Sequence, residues 1–228
     1  MIYNELFTLS SGVSAVGSVS VSVMEGDSVT LKTGVKTDQQ ERIHWYFNDI
    51  RIARINGNLS DICTDVQCNE SNERFKHRLK LDHQTGSLTI MNIRSTDFGE
   101  YISMILNISD KEIIFTVTVD GVPAPVSVKE GESVTLHPGV INDSNDVMIW
   151  CFSGSPIAHI TGNQSKTFTV KQGLDGERFR GRLNVTQTGS LTITNSKTTD
   201  SELYQLQIIN SRFSITRSFC VCVTDGEK

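Results

Sequence analysis

Long apolar runs are absent from this chain. No stretch approaches the roughly 18 to 20 consecutive apolar residues of a bilayer-spanning helix, so nothing in it reads as a helical membrane anchor. Clusters of Lys and Arg are absent too, and the formal net charge is −5. Without a basic patch there is no electrostatic footprint for nucleic acid or for an anionic membrane. No segment sustains the 3.6-residue apolar period of an amphipathic helix. The histidines (His44, His77, His83, His137 and His159) are scattered and form no H-E-x-x-H or other ligand pair. The chain also carries no G-x-S-x-G, no phosphate-cradling glycine loop and no carboxylate pair that strand geometry would bring together. These gaps count against an enzyme, a metal, a cofactor and a small-molecule substrate, and no catalytic residue is assigned.

What is present is repetition. The 228 residues are 37% hydrophobic and 21% charged, enough apolar content for one or two ordinary cores under a soluble surface. The stretch "SVTLKTGV" starting at Ser28 returns as "SVTLHPGV" at Ser133, 105 positions later. Residues 25–58 align without gaps to 130–163, with close to half the positions identical, and "ERFKHRLKLDHQTGSLTI" matches "ERFRGRLNVTQTGSLTI" with one deletion. A repeat of this length is a whole domain rather than a solenoid unit. The join "TVDGVPAPVSV" holds Gly121, Pro123 and Pro125 in a short connection, which predicts two domains stacked end to end with limited flexing. The boundaries expected are 18–120 and 121–228. Residues 1–17 read either as an incomplete secretory signal, with Asn4 and Glu5 interrupting its apolar part, or as a disordered extension.

Inside each repeat the period is two. "SVSVSV", "SVTL", "RLKL", "SLTI" and "FTVTV" alternate, and "EGD", "FNDI", "NGN", "QTG" and "TDFG" punctuate them as turns. Many short strands at this spacing predict an all-β sandwich or barrel. Trp45 and Trp150 each follow Thr33 and Pro138 by 12 residues, and Tyr101 and Tyr204 each follow Asp97 and Asp200 by four. With these residues the chain resembles the immunoglobulin superfamily, variable-like set, over nearly its whole length. The resemblance implies an inter-sheet tryptophan on strand C, a tyrosine corner whose hydroxyl bonds to nearby backbone, and an arginine pairing with Asp97 or Asp200. Arg74 or Arg78, and Arg178 or Arg182, stand where that arginine belongs.

The departures are as informative. Thr33 and Ser103 occupy one pair of positions where the family carries its B–F disulfide, and Pro138 and Leu206 the other. Loss of such a bridge costs about 2 to 5 kcal/mol, which a domain of this size can absorb if tryptophan, tyrosine corner and Arg–Asp pair remain. The chain is similar to lymphocyte adhesion receptors of the signalling-lymphocytic-activation-molecule type, some of whose outer domains lack the bridge, and to immunoglobulin-like receptors of bony fish. It differs from the first group in a second domain that is variable-like and also without a bridge.

The resemblance implies recognition through the G-F-C-C′ sheet. Alternation from Tyr101 sends Ser103 and Ile105 inward and Glu100, Ile102, Met104 and Leu106 outward; Trp45 inward sends His44 and Tyr46 outward. These six residues are the expected partner-binding set, an apolar patch beside a tyrosine. Gln205, Gln207 and Ile209 at the second domain's equivalent positions are more polar, which casts that domain as a stalk. Cys63 and Cys68 flank a short loop and are expected to bridge, with a pair of loop thiols as the alternative. Cys151, Cys220 and Cys222 are expected on the second domain's outer face, with Cys151 two strand spacings from the other two and too far to bridge to them. Their role stays open between an intermolecular disulfide and drifted surface positions. Six sequons (Asn58, Asn69, Asn107, Asn142, Asn163 and Asn184) favour a cell-surface or secreted life with attached glycans. The expected function is an ectodomain recognising another immunoglobulin-like protein, homophilic binding included, in adhesion or immune signalling. The alternatives are a secreted decoy or a structural intracellular immunoglobulin module.

Overall fold

A computed structural model describes residues 14–35, 42–56, 62–64, 73–106, 111–139, 146–161, 164–167 and 178–225. Of the sites named above, Cys68, Asn58, Asn69, Asn107, Asn142 and Asn163 lie outside the described residues. The alternating segments are all strands. The first half contains β1 (Ser14–Met24), β2 (Ser28–Leu31), β3 (Arg42–Phe47), β4 (Ile50–Ile55), β5 (Ile62–Thr64), β6 (Leu79–Leu81), β7 (Leu88–Ile90), β8 (Gly99–Leu106) and β9 (Lys111–Asp120). The second contains β10 (Val126–Lys129), β11 (Val134–Leu136), β12 (Val147–Phe152), β13 (Ser155–Thr161), β14 (Gln164–Thr167), β15 (Leu183–Val185), β16 (Leu191–Ile193), β17 (Glu202–Ile209) and β18 (Phe213–Thr224). A single 3₁₀ turn, Ser95–Asp97 and Thr198–Asp200, precedes the penultimate strand of each half.

Burial follows the two-residue period. In β8, Tyr101, Ser103 and Ile105 are buried and their neighbours partly or fully exposed; in β18, Phe213, Ile215, Arg217, Phe219, Val221 and Val223 face inward. Each half is a sandwich of two sheets packed on a tryptophan and a group of aromatic rings. Trp45 lies 5.7 Å from Phe115 between ring centroids, and Trp150 lies 5.1 Å from Phe219.

The sheets are shared differently from the end-to-end stacking the linker suggests. One sheet, β1-β9-β8-β3-β4-β5, belongs to the first domain, and a three-stranded sheet, β11-β16-β15, to the second. The remaining strands form one nine-stranded sheet, β14-β13-β12-β17-β18-β2-β7-β6 with β10 also on β18, which runs across both domains. At the seam β18 pairs antiparallel with β2, Phe213 opposite Leu31 and Ile215 opposite Val29. The Lys32 amide donates to Arg212 O at 2.9 Å and its ammonium to Asn210 O at 2.7 Å.

The cause is a pair of open edges. β10 covers β18 only from Val221 to Thr224, because the residues before it are the Pro-containing linker, and proline cannot extend a ladder. On the other side, β1 is committed along its length to β9 and leaves β2 uncovered. Unpaired strand edges are costly to bury and hazardous to expose; here the two edges satisfy each other.

Direct cross-strand partners share a face, so buried Val29, Leu31, Phe213 and Ile215 place both cores on the same side of the nine-stranded sheet. The six- and three-stranded sheets cover that side. The opposite side carries Ser28, Thr30, Ser214 and Thr216, partly exposed. The outer face of the first domain's six-stranded sheet therefore looks away from the outer face of the second domain's nine-stranded one.

Candidate protein-recognition face

The residues that name the fold are engaged as the resemblance implies. The Trp45 indole N–H donates to Gly86 O at 2.8 Å, and that of Trp150 to Gly189 O at 2.8 Å. The Tyr101 hydroxyl donates to Asp97 O at 2.9 Å and the Tyr204 hydroxyl to Asp200 O at 3.0 Å. Burial, with the adjacent aspartate, pushes both phenols well above their ordinary range. Of the two arginines available in each domain, Arg78 and Arg182 make the bidentate pairs, at 2.6 and 3.0 Å to Asp97 and at 2.6 and 3.0 Å to Asp200. Arg74 and Arg178 lie over the rings of Phe47 and Phe152, 4.8 and 4.9 Å from their centroids, and Arg74 Nε also comes within 3.9 Å of Asp97.

Against this rigid interior the outer face of β8 and β3 is set by register. Tyr46 stands opposite Ile102, which stands opposite Ile114; His44 stands opposite Met104, which stands opposite Glu112; Arg42 stands opposite Leu106. On the far side of β3, Arg54 is opposite His44 and Arg51 opposite Tyr46. All six residues of the expected set are thus on one surface. Glu100 is exposed, while His44, Tyr46, Ile102, Met104 and Leu106 are each partly exposed. Ile114, on β9, extends the apolar lane and was not among the residues singled out from sequence; its place opposite Ile102 depends on the register of β9, which alternation alone does not supply. The charges are segregated, Arg42, Arg51 and Arg54 on the β3–β4 side and Glu100 and Glu112 on the β8–β9 side. Burial and the facing arginines depress the His44 imidazole below its ordinary value.

The second domain does not repeat this surface. Gln205 and Gln207 occupy the equivalent strand, partly exposed. Cys151 stands opposite Gln205 across β12 and β17, on the outer side as expected, but it is covered there and only 5% exposed. Burial raises its pKa, which disfavours the reactive thiolate. Cys220 and Cys222 are exposed as expected, and Cys63 is buried and disulfide-bonded. Asn184 is exposed on β15 and accessible to a glycan. Among the described residues no three His, Cys, Asp or Glu side chains converge on a metal-sized site, and no helix is long and apolar enough to cross a membrane.

Two residues of consequence, Arg217 and Asp27, escaped the sequence reading. Arg217 lies on the inward stripe of β18 where the first domain has Ile113, and it is 2% exposed. It ion-pairs with Asp27 of the first domain at 2.7 Å and donates to Pro138 O. The signal was a charge on an otherwise apolar alternating stripe, "FSITRSFCV".

Sandwich topology, inward tryptophan, tyrosine corner and buried Arg–Asp pair together define a tandem of immunoglobulin-type domains. The chain belongs to the immunoglobulin superfamily: residues 16–119 match the family model of the immunoglobulin I-set domain, and 121–220 that of the immunoglobulin V-set domain. Pregnancy-specific glycoprotein 22 of Mus musculus is 24% identical over 227 residues, which cover 90% of this chain and 46% of that protein. The chain thus spans about half the length of this curated relative. Among solved structures, the first immunoglobulin-like domain of human CD48 is 25% identical over 47% of this chain and 87% of its own, with a TM-score of 0.39. The CD2-binding domain of CD58 is 14% identical over 90% of this chain and 98% of its own, with a TM-score of 0.38.

Proposed function

We propose that the chain is an extracellular recognition module, displayed at or released from a cell surface. On this reading it binds another immunoglobulin-like protein through the outer face of β3, β8 and β9. The observation that carries this reading is the apolar lane Tyr46–Ile102–Ile114, with His44 and Met104 beside it, between an arginine edge and a glutamate edge. An apolar centre excludes water, and a charged rim sets orientation and encounter rate. The segregation is self-complementary: a two-fold axis parallel to the strands lays the arginine edge of one copy over the glutamate edge of another. Homophilic contact is therefore part of the proposal. Recognition is by surface complementarity without covalent chemistry, and the second domain carries the first. The Cys63–Cys68 bridge and the six glycans belong to the same proposal, as the fittings of a protein made in the secretory pathway.

The test uses purified chain as its own probe. Sedimentation across a concentration series, and a labelled tetramer applied to cells displaying the same chain or a panel of immunoglobulin-superfamily ectodomains, should show binding. Ile102→Arg should weaken it at least tenfold while far-UV spectrum and melting temperature stay unchanged. Equal binding by a folded Ile102→Arg protein would remove the face from the proposal.

A further inference from the structure

On the second domain's outer face, Leu203 stands directly opposite Cys220, and Cys222 follows two residues along the same strand, opposite Ser127 of β10. All three are exposed, Leu203 to 45%. The repeat supplies a comparison within the molecule. The corresponding first-domain residues are Glu100, Thr116 and Thr118, with Glu100 opposite Thr116 in the same register. Three adjacent exposed positions of the second domain are thus apolar or thiol where the first domain has polar residues. Beside them a cleft of about 290 Å³ opens between the domains, lined by Glu25, Pro123, Ala124, Pro125, Leu203 and Cys220 among others.

These thiols have no partner within the described chain. Residues two apart on one strand have Cα atoms about 6.6 Å apart with side chains pointing the same way, so their Cβ atoms stay beyond the roughly 4.5 Å a disulfide allows. Cys151 is buried two strands away, and Cys63 is already bonded. The residues around the pair, Ser127, Ser218 and Ala124, are small, and a second strand can come as close as a disulfide requires.

We infer that this face is the contact between two copies of the chain, closed by disulfides of Cys220 and Cys222 across a two-fold axis. The inference rests on the extracellular reading for its oxidising surroundings. The occupant is a second copy because a two-fold contact presents a second identical thiol pair at matching spacing and so consumes both thiols at once. With the strands antiparallel, Cys220 of one copy meets Cys222 of the other; with the strands parallel, each meets its own counterpart. Each bridge forms by exchange. A thiolate attacks glutathione disulfide and expels one glutathione; the other copy's thiolate attacks the mixed disulfide and expels the second. Two protein thiols are oxidised, one disulfide is reduced to two thiols, and the two protons end on the released glutathione. Because the first domain's recognition face looks the opposite way, such a dimer presents two recognition faces outward and binds bivalently.

The experiment incubates the full chain in a glutathione redox buffer and reads sedimentation, non-reducing electrophoresis and intact mass. The expected result is a covalent dimer that reverts on reduction and is lost in C220S/C222S. Single variants that dimerise alone indicate parallel strands, and C220S and C222S that dimerise only when mixed indicate antiparallel ones; either outcome supports the contact. Monomers carrying glutathione on both cysteines, monomers with two free thiols, or a dimer that survives in the double variant would overturn it. Chain from secretory cells provides a separate arm. If Asn184 carries no glycan there while the purified chain still dimerises, the extracellular reading fails and the contact stands.

Discussion

Arg217 and Asp27, 190 positions apart in sequence, form a buried forked ion pair between the two domains. The guanidinium Nε donates to both carboxylate oxygens at 3.1 and 3.0 Å, and Nη2 donates to Oδ2 at 2.7 Å. Asp27 Oδ2 also accepts the Met24 amide at 2.8 Å. Loss of solvent outweighs the arginine and pushes the Asp27 carboxyl above its ordinary value, the mark of a pair held in place by its surroundings.

Such a pair is worth little over an apolar contact, but half of it is costly. Asp27→Ala leaves a guanidinium buried at the seam and is expected to destabilise by about 3 to 5 kcal/mol. Adding Arg217→Met should restore much of the loss, because the charge goes with its partner. Urea denaturation of the two variants measures both. The double variant proving as unstable as Asp27→Ala would show that the seam depends on the pair's geometry and not on avoiding a lone charge.

Where the family disulfide is missing, the two domains fill the space unequally. The second places Leu206, fully buried, and the first places Ser103, fully buried, with a hydroxyl that has no hydrogen-bond partner among the described residues. Thr33 fares better, donating to Thr85 O at 2.5 Å. A buried unsatisfied hydroxyl costs on the order of 1 to 3 kcal/mol. Ser103→Ala is therefore expected to raise stability by about 1 kcal/mol in thermal or urea unfolding. A loss of stability would mean that the hydroxyl finds a partner in solution.

Much of this architecture is legible in the residues. Period-two alternation located the strands, because one face of each must be buried. The positions of Trp45, Tyr101 and their second-domain counterparts named the sandwich, because an indole and a phenol of fixed spacing bridge its two sheets. Alternation also put His44, Tyr46, Ile102 and Met104 on one surface. What parity could not reach is what depends on partners distant in the chain. Cys151 keeps its outward parity opposite Gln205 yet is buried there, and the neighbours that cover it are not announced by alternation. The seam between β2 and β18 arose from two edges left open, and an open edge becomes apparent only once every other strand has been placed. Arg217 was visible as a charge on an apolar stripe, but its carboxylate lies in the other domain.

His44 ties the recognition face to pH. Burial, and the positive charges of Arg51, Arg54 and Arg42, lower its pKa, with a contact to Asn56 opposing them. The unfolded chain, whose imidazole has the ordinary value near 6.5, takes up the proton first on acidification. The contribution of neutral His44 to stability is thus complete above that value and is lost as pH falls through it toward the lower folded value. Stability measured from pH 7.5 to 5 should decline in part through this residue, and His44→Gln should flatten that part of the slope while leaving the neutral-pH value nearly unchanged. If the face works as proposed, binding by the folded protein should change only as pH falls through the lower folded value, where a proton on His44 adds a fourth positive charge to an edge already bearing three arginines. A pH profile identical in His44→Gln and the parent would place the titration elsewhere.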